Sequence, residues 1–314
     1  MEAIRCEGLR KAFGAVQALD GLTLTVAPGA VFGFLGPNGA GKTTAIRILT
    51  GLARPSGGRA WVAGVEVGAH GAAAARCIGY LPEEPAFYPW MTPREYLDYV
   101  GRVFGLPAAE REARTRELLD LVGLAEVGKR RIGGFSRGMR QRLGLAQALV
   151  NRPEVLFLDE PASALDPSGR KEVLELIERL RGQCTVFMST HILADVERVC
   201  DTVGIIARGK LVTEARREEL LARYAIPAFE LEIENGASAP LQAWADDLGK
   251  LGWVSTVAIS GQTARVVVSK IATAKRELLP SALAAGLVPI RYEMVRPSLE
   301  DVFLRLVAEE GQGQ

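Results

Sequence analysis

The stretch that decides the fold is Gly36-Pro37-Asn38-Gly39-Ala40-Gly41-Lys42-Thr43, which matches the pattern G-x-x-x-x-G-K-[ST] at every specified position. Glycines let a backbone curl until several N–H groups point at one anion, and the positive end of a following helix adds to that attraction. An unbroken apolar run, Val31–Leu35, precedes the stretch as a buried strand would, and a helix is predicted over residues 43–49. The sequence therefore predicts a phosphate-binding loop in which Lys42 reaches a triphosphate and Thr43 ligates Mg²⁺.

Length and composition limit the class of protein. At 314 residues the chain has room for about two domains, and 48% hydrophobic with 24% charged residues exclude a disordered chain. A formal net charge of +1 argues against binding dominated by a polyanion. We expect neither a membrane-spanning helix, which needs ~18 apolar residues, nor a secretion signal. The cysteines are scattered, as is typical of reduced thiols in the cytosol: Cys6, Cys77, Cys184 and Cys200.

Helices and strands alternate through the middle of the chain. A capping box at residues 92–95 begins a helix that ends near Gly105, and further helices are predicted over residues 109–121 and from Ser136. Beyond them, predicted helices separate three predicted strands, at residues 155–158, 185–188 and 203–207. This alternation predicts an α/β fold in which helices cover a parallel sheet.

A second domain is predicted over residues 226–308, because the pattern changes near residue 225. Four predicted strands and two predicted helices follow in the order β-α-β-β-α-β, namely 229–233, 241–251, 254–259, 264–268, 271–285 and 288–295. This order is typical of the ferredoxin-like α+β unit. A final helix is predicted to start at Ser298, where Asp301 would complete a capping box. The domain carries no catalytic constellation.

Two acidic residues, Asp159 and Glu160, follow the apolar run 155–158. Ligands of open α/β sheets bind at the carboxyl ends of the strands, where both carboxylates are expected. Asp159 would then hold Mg²⁺, directly or through water, and Glu160 would act as general base toward an attacking water. The alternative is a solvated strand end, which explains each acid separately but not their position after a phosphate loop.

With these motifs in order over about residues 2–220, the chain resembles the ABC-type ATPase family, the nucleotide-binding subunits of ATP-binding-cassette transporters. Phe13 matches the aromatic residue that stacks on adenine, Asp166 in Ala164-Leu165-Asp166 matches the dimer loop, and His191 matches the switch histidine. The resemblance implies that ATP is the substrate and Mg²⁺ the cofactor. It assigns catalysis to Lys42, Glu160 and His191, and Mg²⁺ binding to Thr43, Glu83 and Asp159. The implied nucleotide-binding residues are Phe13, Gly36, Pro37, Asn38, Gly39, Ala40, Gly41, Lys42, Thr43 and Thr44.

The resemblance also implies an architecture and a mode of action. An ATPase domain over residues 1–222 would combine a P-loop NTPase sheet, an N-terminal antiparallel β subdomain and a helical subdomain at about residues 85–150. Two chains would enclose two ATP molecules head to tail, and Asp166 would connect the two sites. The signature loop would contact the nucleotide of the partner chain through Ser136, Arg137, Gly138 and Met139. This homodimer would lie in the cytoplasm, on the inner face of the cell membrane, and drive separately encoded membrane-spanning subunits.

Three residues depart from the usual pattern of the family. Glu83 stands where the family usually has Gln, and its carboxylate can ligate Mg²⁺ or orient water while it adds negative charge near the phosphates. Arg137 replaces the first glycine of the common signature, and Met139 replaces its glutamine. Arg137 is interpreted either as a solvated cation or as a direct phosphate contact.

For several other residues the sequence allows two roles. Phe13 and His191 could instead be core residues, although His191 follows a predicted strand at the nucleotide edge. An apolar cluster either docks the membrane subunits or covers the helical core: Pro85, Phe87, Tyr88, Pro89, Trp90 and Met91. A basic run is interpreted as a solvated face rather than an RNA or lipid site: Lys129, Arg130, Arg131, Arg137, Arg140 and Arg142.

The segment 296–304 is similar to the tail of ATPases from the multidrug- and ion-exporter branch, which favours export. The alternative function is a soluble ABC-type ATPase that acts on nucleic acid or ribosomes. Such proteins usually carry two cassettes or a long coiled-coil insertion, whereas this chain has one phosphate loop and a short segment between Glu83 and Phe135. No nucleic-acid partner is therefore expected.

Overall fold

A computed structural model describes residues 2–68, 71–163, 165–223, 227–234, 238–295, 299–300 and 302–303. The chain divides into two units, Met1–Arg217 and Glu218–Gln314. The predicted domain limits, 1–222 and 226–308, stay predictions. Ala164 and the predicted helix start at Ser298 and Asp301 lie outside the described residues.

The first unit combines strands and helices that alternate along much of the chain. Its strands are β1 Ile4–Phe13, β2 Val16–Val26, β3 Val31–Leu35, β4 Gly57–Val62, β5 Val65–Glu66, β6 Ile78–Leu81, β7 Val155–Asp159, β8 Thr185–Thr190, β9 Thr202–Ala207 and β10 Lys210–Arg216. Its helices are α1 Lys42–Leu49, α2 Gly71–Cys77, α3 Pro93–Val103, α4 Ala108–Leu121, α5 Arg137–Ala148, α6 Pro167–Arg179 and α7 Leu193–Val199. A further helix, α8 Arg217–Arg223, begins where the two units meet in the sequence.

The strands of the first unit form two sheets. An antiparallel sheet has the order β2-β1-β4-β5. A central sheet has the order β10-β9-β3-β8-β7-β6, in which β9 to β6 run parallel and β10 pairs antiparallel at the edge. The predicted α/β fold, with a parallel central sheet and an antiparallel β subdomain, is confirmed.

Aromatic side chains of the three central strands pack against one another. The ring of Phe187 on β8 lies 5.2 Å from the rings of Phe32 and Phe34 on β3, and 5.7 Å from that of Phe157 on β7. Every residue of these three strands is buried, as expected for a parallel sheet covered on both faces. Because the strands are parallel and in register, their carboxyl ends lie side by side and present the following residues to one edge.

The helical segment begins with the predicted capping box. The Thr92 hydroxyl accepts a hydrogen bond from the Glu95 backbone N–H at 3.3 Å, and the Glu95 carboxylate accepts one from the Thr92 N–H at 2.8 Å. These bonds satisfy donors that the first turn of α3 leaves free. A bond of 2.8 Å from the Tyr96 hydroxyl to Gln147 connects α3 to α5.

Beyond α8, the described residues of the second unit are built on one antiparallel sheet. Its elements are β11 Ala228–Ile233, α9 Ser238–Leu248, β12 Val254–Ser260, β13 Thr263–Val268, α10 Ile271–Ala284 and β14 Pro289–Val295, with strand order β12-β13-β11-β14. The helix predicted over 241–251 ends at Leu248, because Leu251 closes a turn onto Leu248. In the described part of the chain, no helix is both long and apolar enough to cross a bilayer.

Candidate active site

The phosphate loop connects β3 to α1, and two of its positions have room for glycine only. Gly41 has φ +109, and a Cβ there would lie 2.5 Å from the carbonyl oxygen of Ala18. A Cβ on Gly36 would lie 2.3 Å from the carbonyl oxygen of Ile206. Since no side chain caps the start of α1, the N–H groups of its first turn remain available to an anion.

Lys42 extends over this loop and toward the strand ends. Its Nζ donates to the carbonyl oxygens of Gly36 at 2.7 Å and Pro37 at 3.3 Å, and lies 3.6 Å from Glu160 Oε1. Only 6% of the residue is exposed, and burial lowers the pKa of Lys42 below its ordinary value while the carboxylates of Glu160 and Asp159 oppose that shift. The ammonium is thus held against the loop, beside the acids that follow β7.

Asp159 connects three elements at the end of the sheet. Its Oδ1 accepts hydrogen bonds from Ser189 Oγ at 2.6 Å and from Thr43 Oγ1 at 3.2 Å. A buried carboxylate beside a threonine hydroxyl is a donor set of hard oxygens, which fits Mg²⁺. Mg²⁺ usually keeps several waters and takes one or two protein oxygens beside substrate phosphates, so these two oxygens would suit it.

Glu160 occupies a strained position at the same edge. Its φ is +49, in the left-handed region that non-glycine residues rarely adopt, and its N–H donates to the Ser189 carbonyl at 3.1 Å. The Glu160 Oε2 atom lies 2.9 Å from His191 Nδ1, while Oε1 faces Lys42. The backbone strain aims this carboxylate between a histidine and a lysine, where it can polarise a water molecule.

These groups surround an open cavity of ≈ 250 Å³. Glu83, from the segment after β6, and His191, from the segment after β8, both line it. The full lining is Ala18, Asn38, Gly39, Gly41, Lys42, Thr43, Thr44, Glu83, Glu160 and His191. The structure therefore brings residues of the predicted phosphate loop together with three further predicted site residues, Glu83, Glu160 and His191.

The remaining predicted residues do not line this cavity. Phe13, at the end of β1, is 54% exposed, with Lys11 Nζ 4.9 Å from its ring. Ser136 caps α5 by accepting a hydrogen bond from Met139 N–H at 3.2 Å, and Gly138 has open space where a Cβ would stand. Arg137 lies 3.7 Å from Glu84.

Asp166 also lies apart from the cavity, at the N-terminus of α6, where its side chain makes no capping bond. Sequence reasoning missed Ser189, although a polar residue at the end of an apolar strand beside His191 is a usable signal. It also missed the ion pair between Arg170 Nε and Asp195 Oδ1, 2.7 Å apart, which ties α6 to α7. Burial raises the pKa of Asp195, and Arg170 opposes that shift.

We expect Arg170→Met to lower the free energy of unfolding by about 3 kcal/mol, because it leaves the charge of Asp195 buried without its partner. The Asp195 side chain is 2% exposed, whereas the Arg170 side chain is 32% exposed, so the loss lies at the low end for buried pairs. Chemical denaturation measures this decrease in the free energy of unfolding. The matched control is Arg116→Met, whose partner Glu112 is exposed and whose loss should stay below about 0.5 kcal/mol. Equal losses in the two variants would contradict a structural role for the Arg170 pair.

The sheet, the loop at the end of β3 and the acids at the end of β7 define a P-loop nucleotide-binding protein. Residues 19–163 match the family model described as ABC transporter. The chain is 39% identical to the uncharacterized ABC transporter ATP-binding protein YxlF of Bacillus subtilis (strain 168), over 96% of this chain and 98% of that protein. It is 35% identical to the daunorubicin resistance ATP-binding protein DrrA3 of Streptomyces coeruleorubidus, over 98% of this chain and 96% of that protein.

A solved structure described as the ATP binding subunit of an ABC transporter is similar to 71% of this chain and 93% of its own chain, with a TM-score of 0.65 and 29% identity. The chain belongs to the ATP-binding proteins of ABC transporters. It is accordingly an ABC transporter ATPase, which hydrolyses ATP to drive transport.

Proposed function

We propose that this chain powers export, as one of two copies that close over two ATP molecules and drive separately encoded membrane-spanning subunits from the cytoplasmic side. The observation that carries hydrolysis at this cavity is the cluster of Lys42, Glu160 and His191 beside the phosphate loop. Export is supported by a relative named for daunorubicin resistance and by the similarity of segment 296–304 to exporter ATPases.

Each residue of the cavity has a role in this proposal. The loop N–H groups and Lys42 bind the phosphates and stabilise charge on the transferred group. Glu160 takes the proton of the attacking water, and His191 orients that carboxylate through the contact of 2.9 Å. Thr43, Glu83 and Asp159 would hold Mg²⁺, and the metal would neutralise charge on the β- and γ-phosphates.

The position of the signature loop supports a site shared between two chains. Ser136, Arg137, Gly138 and Met139 form the N-terminus of α5, away from the cavity of their own chain. Helix N-termini bind anions through free N–H groups, and Gly138 leaves the approach open. We infer that these residues contact the γ-phosphate held by the partner, and that Asp166 connects the two sites.

The second unit is proposed to be a ferredoxin-like accessory domain. The order β12-β13-β11-β14, with every neighbouring pair antiparallel, supports this assignment, as does the β-α-β-β-α-β sequence of its elements.

A membrane partner is tested by co-purifying the chain with a co-expressed protein that has about six apolar spans. Export predicts that transported compounds stimulate ATP turnover in that complex.

Mixed dimers test the shared site. We expect a dimer of one Ser136→Ala chain and one Lys42→Ala chain to hydrolyse ATP, because both defects fall in one site and the other stays intact. Separately tagged chains allow the mixed dimer to be isolated and its turnover measured. The matched control pairs a Ser136→Ala/Lys42→Ala double variant with wild type, which carries the same changes but damages both sites. Equal turnover in these two dimers would contradict the shared arrangement.

A further inference from the structure

The strand β14 lies at one edge of the second unit's sheet, with β11 as its strand neighbour among the described residues. Two large apolar side chains on it are exposed, Ile290 by 58% and Met294 by 48%. The other edge strand, β12, has no residue among the exposed large hydrophobics of the described chain. Charges such as Arg291 and Glu293 normally keep an edge strand from pairing, so the exposed apolar side chains beside them indicate a partner in which those charges meet their opposites.

The sequence of β14 is complementary to itself when two copies run antiparallel. Tyr292 is the middle residue of Pro289–Val295, so a pairing centred on Tyr292 spans all seven positions, and the register shift that β14 makes against β11 falls near the start of the strand, between Pro289 and Arg291. In that register Ile290 of one chain lies opposite Met294 of the other, and Arg291 lies opposite Glu293. Apolar residues therefore meet on one face of the sheet, and opposite charges meet on the other.

The charges around β14 favour the same register. Glu293 lies opposite Glu230 of β11, which is an unfavourable pair of like charges across two strands. On the same face, Arg291 lies opposite Glu232 and also contacts Glu293 at 2.5 Å. Arg265 of β13 faces Glu230 at 3.9 Å. A partner's Arg291 placed on the free side of Glu293 would add a cation where carboxylates predominate.

We propose that a second copy of this chain pairs with the first through antiparallel β14 strands centred on Tyr292, which joins two sheets into one. Two paired strands of seven residues bury less surface than the interface of a stable dimer does. The pairing is therefore expected at high protein concentration, or where a second contact already holds the two chains together. Pro289, which lacks an N–H, stands at the end of the strand and costs at most a terminal hydrogen bond. The pairing is independent of ATP, and its tests are run without nucleotide so that it can fail separately from the ATP-dependent dimer.

Disulfide formation tests the register. A mixture of full-length Ile290→Cys and Met294→Cys chains should form disulfide-linked dimers on mild oxidation, because opposed residues fall within the Cα separation that a disulfide spans. Each variant alone should stay unlinked at this strand, since its two cysteines would be about 13 Å apart. Mass spectrometry of the 290–294 link excludes products of the native cysteines. Linkage of either single variant to itself, or none in the mixture, overturns the proposal.

Charge exchange tests the contact without a covalent bond. We expect the wild type to self-associate in concentrated solution by sedimentation, and Arg291→Glu alone and Glu293→Arg alone should each lose that association. A mixture of the two variants should recover it, because each new charge then faces its opposite in the other chain. Within each chain the contact between positions 291 and 293 stays broken in that mixture, so an effect on the monomer alone predicts no recovery. Absence of recovery, or binding of a different protein at β14 in place of a second copy, overturns the proposal.

Discussion

Glu160→Gln is expected to bind ATP as well as the wild type and to lose turnover by about a hundredfold or more, the contribution typical of a positioned general base. The amide keeps the size of the side chain and its contact with His191, but it cannot accept a proton from water. Nucleotide affinity and steady-state phosphate release measure the two effects separately. Glutamine has the same side-chain length and branching as glutamate, so the substitution adds no new steric demand at the left-handed backbone of position 160.

The control for this variant is Glu154→Gln, an exposed acid just before β7 that does not line the cavity. It should keep wild-type turnover, which would show that neutralising an acid near this strand is harmless in itself. Near-normal ATP turnover in Glu160→Gln would contradict the assignment of Glu160 as general base. Weaker ATP binding in that variant, with turnover lost, would instead indicate that Glu160 acts mainly by holding Lys42 at 3.6 Å.

The features that could be predicted from the sequence are those that depend on residues close together in the chain. The capping box at Thr92 spans four residues, and the phosphate loop spans eight, so their chemistry follows from spacing alone. The runs that became β3 and β7 are apolar throughout because parallel strands are covered on both faces. From these strands the meeting of the loop and the two acids at one edge could be predicted.

Contacts between distant residues could not be predicted in this way. Ser189 and Asp159 are 30 residues apart in the chain, and Thr43 and Asp159 are 116 residues apart. Local sequence patterns do not indicate hydrogen bonds between residues so far apart. The end of α9 was misjudged because Leu251 is apolar yet lies in a turn beyond the helix. The self-complementarity of β14 depends on knowing that this strand lies at an edge, which only the sheet order shows.

Lys42→Ala is expected to weaken ATP binding by about 30-fold, which corresponds to roughly 2 kcal/mol for a charge-assisted hydrogen bond. The ammonium is held over the loop by the carbonyl oxygens of Gly36 and Pro37, and we propose that it meets the β- and γ-phosphates of a bound nucleotide there. AMP lacks both groups, so its affinity should change little in the same variant. Titration of each nucleotide by calorimetry distinguishes the loss of a phosphate contact from general damage to the cavity.

The matched control is Lys129→Ala, which removes an exposed lysine away from the cavity and should leave both affinities unchanged. Removing Lys42 also leaves the nearly buried Glu160 carboxylate without its cation, so a denaturation curve must show that the variant is folded. An equal loss for AMP and ATP would mean that the cavity collapsed rather than that a phosphate contact was lost. An unchanged affinity for ATP would remove Lys42 from phosphate binding, and with it the reason why the neighbouring Glu160 should activate a water molecule next to the γ-phosphate.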